Sequence, residues 1–217
     1  MTRSLIFAVA LSAAALTACA TATPAVAPPA PNAAPVADTP IKSPSGEYAI
    51  DPFHTAVVWR VQHMGLALFT ARFDKISGTL TLDAAAPAKS KASISIDVAS
   101  VSTPLPQPAM KTKFDAEIAK NLGVEKTPNI TFVSTGLVRT GAQTGRMTGD
   151  LTMNGVTKPA TFDVILRGEG INTLSQKNSL GFQAHTSIKR SDWGVTFAAL
   201  FAADEVDIDV DAELDKR

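Results

Sequence analysis

Gly149-Asp150-Leu151-Thr152-Met153-Asn154-Gly155-Val156-Thr157-Lys158-Pro159-Ala160-Thr161-Phe162-Asp163-Val164-Ile165-Leu166 is the stretch whose reading decides the fold. Asn154-Gly155 is the dipeptide that a type I′ hairpin turn demands, because both central residues must take positive φ. Beyond it Phe162, Val164 and Leu166 repeat at every second position, the period of a strand with one buried face. The same period recurs on both sides. Val57, Trp59 and Val61 alternate with Ala56, Val58, Arg60 and Gln62, and Ile94, Ile96 and Val98 with Ser93, Ser95 and Asp97. Phe182, Ala184, Thr186 and Ile188 form a further run, and Val206, Ile208 and Val210 face off against Asp207, Asp209 and Asp211. One helix interrupts: Met110, Phe114, Ile118 and Leu122 recur every four residues, with Pro108 at the start and Gly123 at the stop. About eight strands and one helical insertion in a single unit, residues 46–214, predict an all-β, closed antiparallel barrel. Closure removes exposed edges, and eight strands leave room for one small ligand.

Composition excludes several functions. The chain has 217 residues, is 45% hydrophobic and 18% charged, and has 20 basic against 20 acidic side chains. No bulk positive field exists to hold nucleic acid. A single cysteine excludes disulfide frameworks and multi-cysteine metal sites, and three histidines leave little for a histidine-built metal centre.

The N-terminus reads as an address. Arg3 is followed by an uncharged run, Leu5 to Leu16, too short to span a bilayer but suited to a signal peptide. The run ends in Leu16-Thr17-Ala18-Cys19, which resembles the lipobox of bacterial lipoproteins, so residues 1–18 are expected to be removed and Cys19 lipidated. Three acyl chains would hold firmly where one would not. Ala20 after the cysteine points to the outer membrane by the sorting rule of enteric bacteria. Residues 20–44 hold seven of the fourteen prolines, and 19–45 read as the lipidated cysteine and a semi-extended tether.

The domain's motifs then resemble the YceI-like proteins. They are Tyr48-Ala49-Ile50-Asp51-Pro52-Phe53-His54-Thr55, His63-Met64-Gly65, the Phe73 to Asp83 run, and Ile96-Asp97 before Ser100. Pro128 to Thr135, Gly149 to Pro159, Arg190-Ser191-Asp192-Trp193-Gly194 and Asp204-Glu205-Val206 follow in order. The resemblance implies a lipocalin-like barrel in the Gram-negative cell envelope, holding a polyprenyl or fatty-acid-derived chain in an apolar cavity, with no cofactor and no catalysis. One departure stands out. Where the family has an Arg-Asp-x-His-Leu stretch after Ser102-Thr103, this chain has Pro104-Leu105-Pro106-Gln107-Pro108-Ala109-Met110, which predicts a more apolar cavity mouth.

The expected cavity wall is Val57, Trp59, Val61, His63, Ile94, Ile96, Val98, Phe182 and Ile188, with Arg190 and Trp193 near the mouth. His63 shares the inward parity and is either a hydrogen-bonded interior histidine or a head-group donor. Arg190 either brackets a turn with Asp192 or pairs with a phosphate or amide oxygen. Trp59 and Trp193 are core, or pocket wall, or both. His54 and His63 have opposite parity, so they cannot share a metal. His185 should face solvent, and Asp51 should cap backbone amides beside Pro52. The Asp207, Asp209, Asp211, Glu213 ladder is too widely spaced for one calcium ion and reads as a solvated face. No serine sits in a nucleophile elbow, so catalysis is not expected. The competing readings are a barrel filled by its own side chains that binds an envelope protein, and an enzyme acting on an isoprenoid or quinone. Pairing of two barrels as a homodimer stays open.

Overall fold

A computed structural model describes residues 40–217. The strands are β1 (Gly46–Ile50), β2 (Ala56–His63), β3 (Ala67–Phe73), β4 (Ile76–Leu82), β5 (Lys91–Asp97) and β6 (Val101–Ser102). After the helix α1 (Pro108–Asn121) come β7 (Asn129–Arg139), β8 (Thr144–Met153), β9 (Val156–Ile171), β10 (Asn178–Lys189) and β11 (Ala202–Lys216). All pairings are antiparallel, in the order β1-β4-β5-β7-β8-β9-β10-β11-β2-β3-β6. β1 also pairs with the last residues of β11, Tyr48 opposite Lys216, and this closes the ring.

Eleven segments make eight staves. β1 and β2 lie end to end along one edge of β11, Ile50 opposite Leu214 and Ala56 opposite Asp211. β3 and β4 form the next broken stave, interrupted at Asp74-Lys75, and β5 with β6 the third, interrupted by a short 3-10 turn at Val98–Ser100. The remaining five are continuous. The expected count of eight is thus the number of staves, each neighbouring its successor in sequence.

The local chemistry explains the turns. Asn154 and Gly155 have φ of 51° and 75°, as the type I′ reading requires. Met64 and Gly65 repeat this geometry with φ of 52° and 69°, and the Leu66 amide donates to the His63 carbonyl at 2.9 Å. α1 begins with Pro108 in its first turn and ends in a left-handed Gly123 (φ 82°), where the Val124 amide reaches back to the Ala119 carbonyl. The helix is tied to β6 through Asp115, which accepts from the Thr103 hydroxyl and amide at 2.6 and 3.0 Å.

Residues just before the expected boundary at 46 also contact the barrel. The Ile41 amide donates to the Ala84 carbonyl, the Ser43 amide to Glu169 Oε2 at 2.6 Å, and Tyr48 Oη to the Pro44 carbonyl. Residues 41–45 are held to the barrel because Ile41 packs against the cluster of Tyr48, Leu80, Leu82, Leu180 and Leu214. Residues 1–39, with the signal, Cys19 and most of the tether, lie outside the described residues.

Candidate binding site

The barrel encloses a cavity of about 860 Å³, towards the upper end of the roughly 300–1,000 Å³ range of small-molecule sites. Its wall comes from every stave and from α1, and among the described residues it contains no aspartate, glutamate or lysine. Trp59, Ile94, Ile96, Met147, Phe162, Phe182 and Ile208 point inward and yet remain only half-buried. They face open space. A barrel plugged by its own side chains would bury them.

Packing is tight elsewhere. Tyr48, Leu80, Leu82, Leu180 and Leu214 form a cluster at the end where the chain enters. Towards the other end Val98, Val101, Ile118, Ile130, Leu151, Met153, Trp193 and Val195 pack with α1. The Phe114 ring of α1 meets Phe69 edge-on at 5.9 Å, and Phe69 lies 5.9 Å from Trp59, an aromatic file from helix to shaft. Phe132 and Phe162 meet edge-on at 5.0 Å across the wall.

Most of the wall residues expected from the sequence line the cavity: Val57, Trp59, Val61, His63, Ile94, Ile96, Phe182 and Ile188. Two do not. Val98 stands outside the alternation because Asp97 Oδ1 accepts from the Ala99 amide and turns the chain into a 3-10 turn, which buries Val98 in the packed cluster. Trp193 is 3% exposed, and its indole N–H donates to the Leu151 carbonyl at 3.0 Å, so it plugs the barrel rather than lining the shaft.

Arg190 reaches the cavity wall, but its guanidinium has other work. Nε donates to the Ala203 carbonyl, Nη1 to those of Val195 and Phe197, and Nη2 to that of Ala202, at 2.6–3.1 Å. Neither expected partner applies: Asp192 pairs with Lys158 instead, and four backbone carbonyls occupy the donors that a phosphate would need. His63 stands exposed at the rim with no hydrogen bond to its ring among the described residues, so it is not an interior, bonded histidine. The expected acid-rich face is also more structured than a merely solvated ladder. Asp209 takes both Arg60 and His185, which puts those two side chains on the outside as parity required.

Asp51 Oδ1 accepts from the Phe53 amide at 2.8 Å, the expected cap, and Oδ2 bonds His54 Nδ1 at 2.6 Å. Burial alone would raise the Asp51 carboxyl, but His54 and the Phe53 amide outweigh it and hold it below its ordinary value. The hydrogen bond to Asp51, and that carboxylate's charge, raise the His54 imidazole. Glu213 brings a carboxylate oxygen within 4.8 Å of this pair, a grouping across the β1–β2 break that parity along one strand could not reveal. Its Oε1 accepts from Asn172 Nδ2 at 2.7 Å.

Sequence reasoning placed the Pro104–Met110 stretch at the cavity mouth but missed the loop before β11. Leu105 and Met110, from the stretch that departs from the family pattern, line the cavity beside Phe197, Ala198 and Phe201 of the loop before β11. No periodicity marks such residues; only ring closure brings them to the shaft.

A closed up-and-down barrel of eight staves around an apolar shaft, roofed at one end by a helix, defines a cavity-bearing β-barrel of lipocalin-like architecture. The chain belongs to the YceI-like domain family, which it matches over residues 48–214. It is 35% identical over 171 residues to a UPF0312 protein of Pseudomonas putida strain GB-1, covering 78% of this chain and 86% of that one. It is 34% identical, over the same shares, to the protein YceI of Salmonella paratyphi B. Among solved structures, BcnA of Burkholderia cenocepacia superposes with a TM-score of 0.65 at 24% identity, covering 76% of this chain and 98% of that one. A polyisoprenoid binding domain from Saccharophagus degradans, implicated in plant cell wall breakdown, gives 0.55 at 16% identity, covering 78% and 98%.

Proposed function

We infer that the protein binds one long-chain amphiphile, polyprenyl or fatty-acid-derived, in its barrel and carries or sequesters it without chemical change. The observation that carries this reading is the continuous apolar shaft with its half-buried inward wall. The Saccharophagus relative in fold, described as polyisoprenoid binding, supports the same ligand class. Sequestering about fifteen chain carbons contributes roughly 12 kcal/mol gross at ~0.8 kcal/mol per CH₂, before association costs reduce it. That suffices for retention without a covalent bond.

The head group is neutral or singly charged. Arg60 points outward to Asp209, Arg190 serves the backbone, and Arg139, also on the wall, donates to the Gly141 and Ala142 carbonyls, so none is set as the clamp a diphosphate needs. Among the described residues the wall offers no general acid–base pair and no nucleophile beside a base, which favours binding over catalysis. The expected lipobox at Cys19 supports a place in the cell envelope, anchored at the outer membrane. Native mass spectrometry of the protein purified from cells tests the reading: one dominant adduct of lipid mass is expected. A protein that arrives empty, and takes up nothing from a total lipid extract, rules it out.

A further inference from the structure

Of the twelve large apolar side chains exposed among the described residues, six fall on three neighbouring segments, while Phe53, Val133, Val138, Ile165, Ile171 and Leu174 stand elsewhere on the barrel. Met64, Leu66 and Leu68 come from the β2–β3 hairpin, Leu200 and Phe201 from the loop before β11, and Met110 from the first turn of α1. Leu66 is 84% exposed and Leu200 91%. The sheet order β11-β2-β3-β6 makes these three segments neighbours on one arc of the helix-bearing end. The Met64 amide donates to the Phe201 carbonyl at 2.7 Å and locks two of them together. Phe201 and Met110 are at once rim and cavity wall, so the exposed arc and the shaft are one continuous apolar surface.

These segments are also free of charge up to Lys111, whose ammonium is paired with Asp115. Residues 61–71, 103–110 and 193–203 contain no aspartate, glutamate, lysine or arginine, and His63 is their only ionisable group. A protein partner's rim is polar and charged, whereas an uncharged arc with large apolar tips suits the acyl boundary of a bilayer. Apolar side chains that run from the exposed arc into the cavity wall beside the helix would let a hydrocarbon tail move between lipid and barrel without crossing water.

We propose that this arc docks on a lipid bilayer and is the port through which the shaft loads and unloads its amphiphile. The proposal rests on the lipid-binding reading above and adds its route. The length of the chain allows it: Cys19 and Ile41 are 22 positions apart, a reach of up to about 70 Å were that stretch to extend at ~3.1 Å per residue. The fifteen residues of β11 span about 50 Å at ~3.3 Å each. An anchor at Cys19 therefore leaves enough chain for the far end of the barrel to meet the same membrane.

The test uses the chain from Ala34 onward, a compact unit whose described residues close the ring and form both packed clusters, and which lacks Cys19. It is floated with phosphatidylcholine vesicles, with and without phosphatidylglycerol. Binding to both is expected, and Leu66→Asp with Leu200→Asp is expected to cut the bound fraction about tenfold or more. Both positions are exposed, so an unchanged melting temperature checks that the variant folds. Adduct mass by native mass spectrometry is read on the same samples. Lipid adducts without vesicle binding overturn the docking port and leave the binding function standing. Vesicle binding by the arc with a shaft that never holds lipid overturns the port as well, and the binding function with it. Binding only to phosphatidylglycerol vesicles, equal in variant and parent, assigns the contact to lysines and overturns the proposal. A concentration-dependent dimer that the two substitutions dissolve, with no vesicle binding, assigns the arc to a second copy and also overturns it.

Discussion

Trp59 and Trp193, the only tryptophans in the chain, sit in opposite environments. Trp59 lines the shaft with its indole N–H buried and unpartnered, while Trp193 is packed and donates to Leu151. A bound chain should therefore change the emission of Trp59 alone. Titrating lipid into Trp193→Phe is expected to keep the fluorescence change and titrating it into Trp59→Phe to abolish it. Asp51 and His54 support a second expectation. The pair is present in full between the depressed carboxylate value, below 3.8, and the raised imidazole value, above 6.5. Its stabilising share from His54 is complete below the unfolded pKa and fades as pH rises through the folded one; that from Asp51 fades as pH falls through its own folded value. An NMR titration should place the His54 midpoint above 6.5, and Asp51→Asn should return it towards the ordinary value. A His54 midpoint unaffected by that substitution would remove the pairing. Parity along a strand put His63 on the wall and His185 outside, but His54 lies in the turn between β1 and β2, where parity does not apply, and the Asp51–His54–Glu213 grouping depends on β1 closing on β11.

Two elements show how packing, rather than ligand chemistry, uses the family's distinctive residues. Arg190 ties four carbonyls of the segment 195–203 to the end of β10. Arg190→Ala leaves those buried acceptors without donors, and a loss of roughly 2–4 kcal/mol is expected in urea unfolding. Arg190→Lys should not rescue it, since one ammonium cannot span the fork. In β8, a Cβ on Gly149 would lie 2.5 Å from both Phe132 Cζ and the Val133 carbonyl oxygen. Gly149→Val is expected to cost about 1–3 kcal/mol by pushing the Phe132–Phe162 pair off its edge-on contact. Strand positions and the helix were readable from period two and period four because those patterns are local. The breaks in the first three staves were not, and Val98 was misplaced for that reason: a side-chain cap from Asp97 overrides a pattern that hydrophobicity alone continues.

For the whole molecule, the decisive quantity is the empty interior. Ala184 pairs in register with Val164 on one side and Val210 on the other, and all three line the cavity. Filling that level with Ala184→Phe and Val164→Phe should lower the lipid-to-protein ratio after purification about tenfold or more, while the fold survives. Retained lipid in a variant shown to be filled would mean that the ligand sits elsewhere.

The sequence by itself determined the fold class, the faces of the strands, the stop of the helix and the family, because each is written in spacing along a few neighbouring residues. Only the tertiary structure decided that the shaft is open, that Arg190 and Trp193 serve packing, and that loop residues form an uncharged arc at its mouth. Those depend on side-chain volumes summed around a closed ring and on carbonyls brought in from distant staves, and neither quantity is local in sequence.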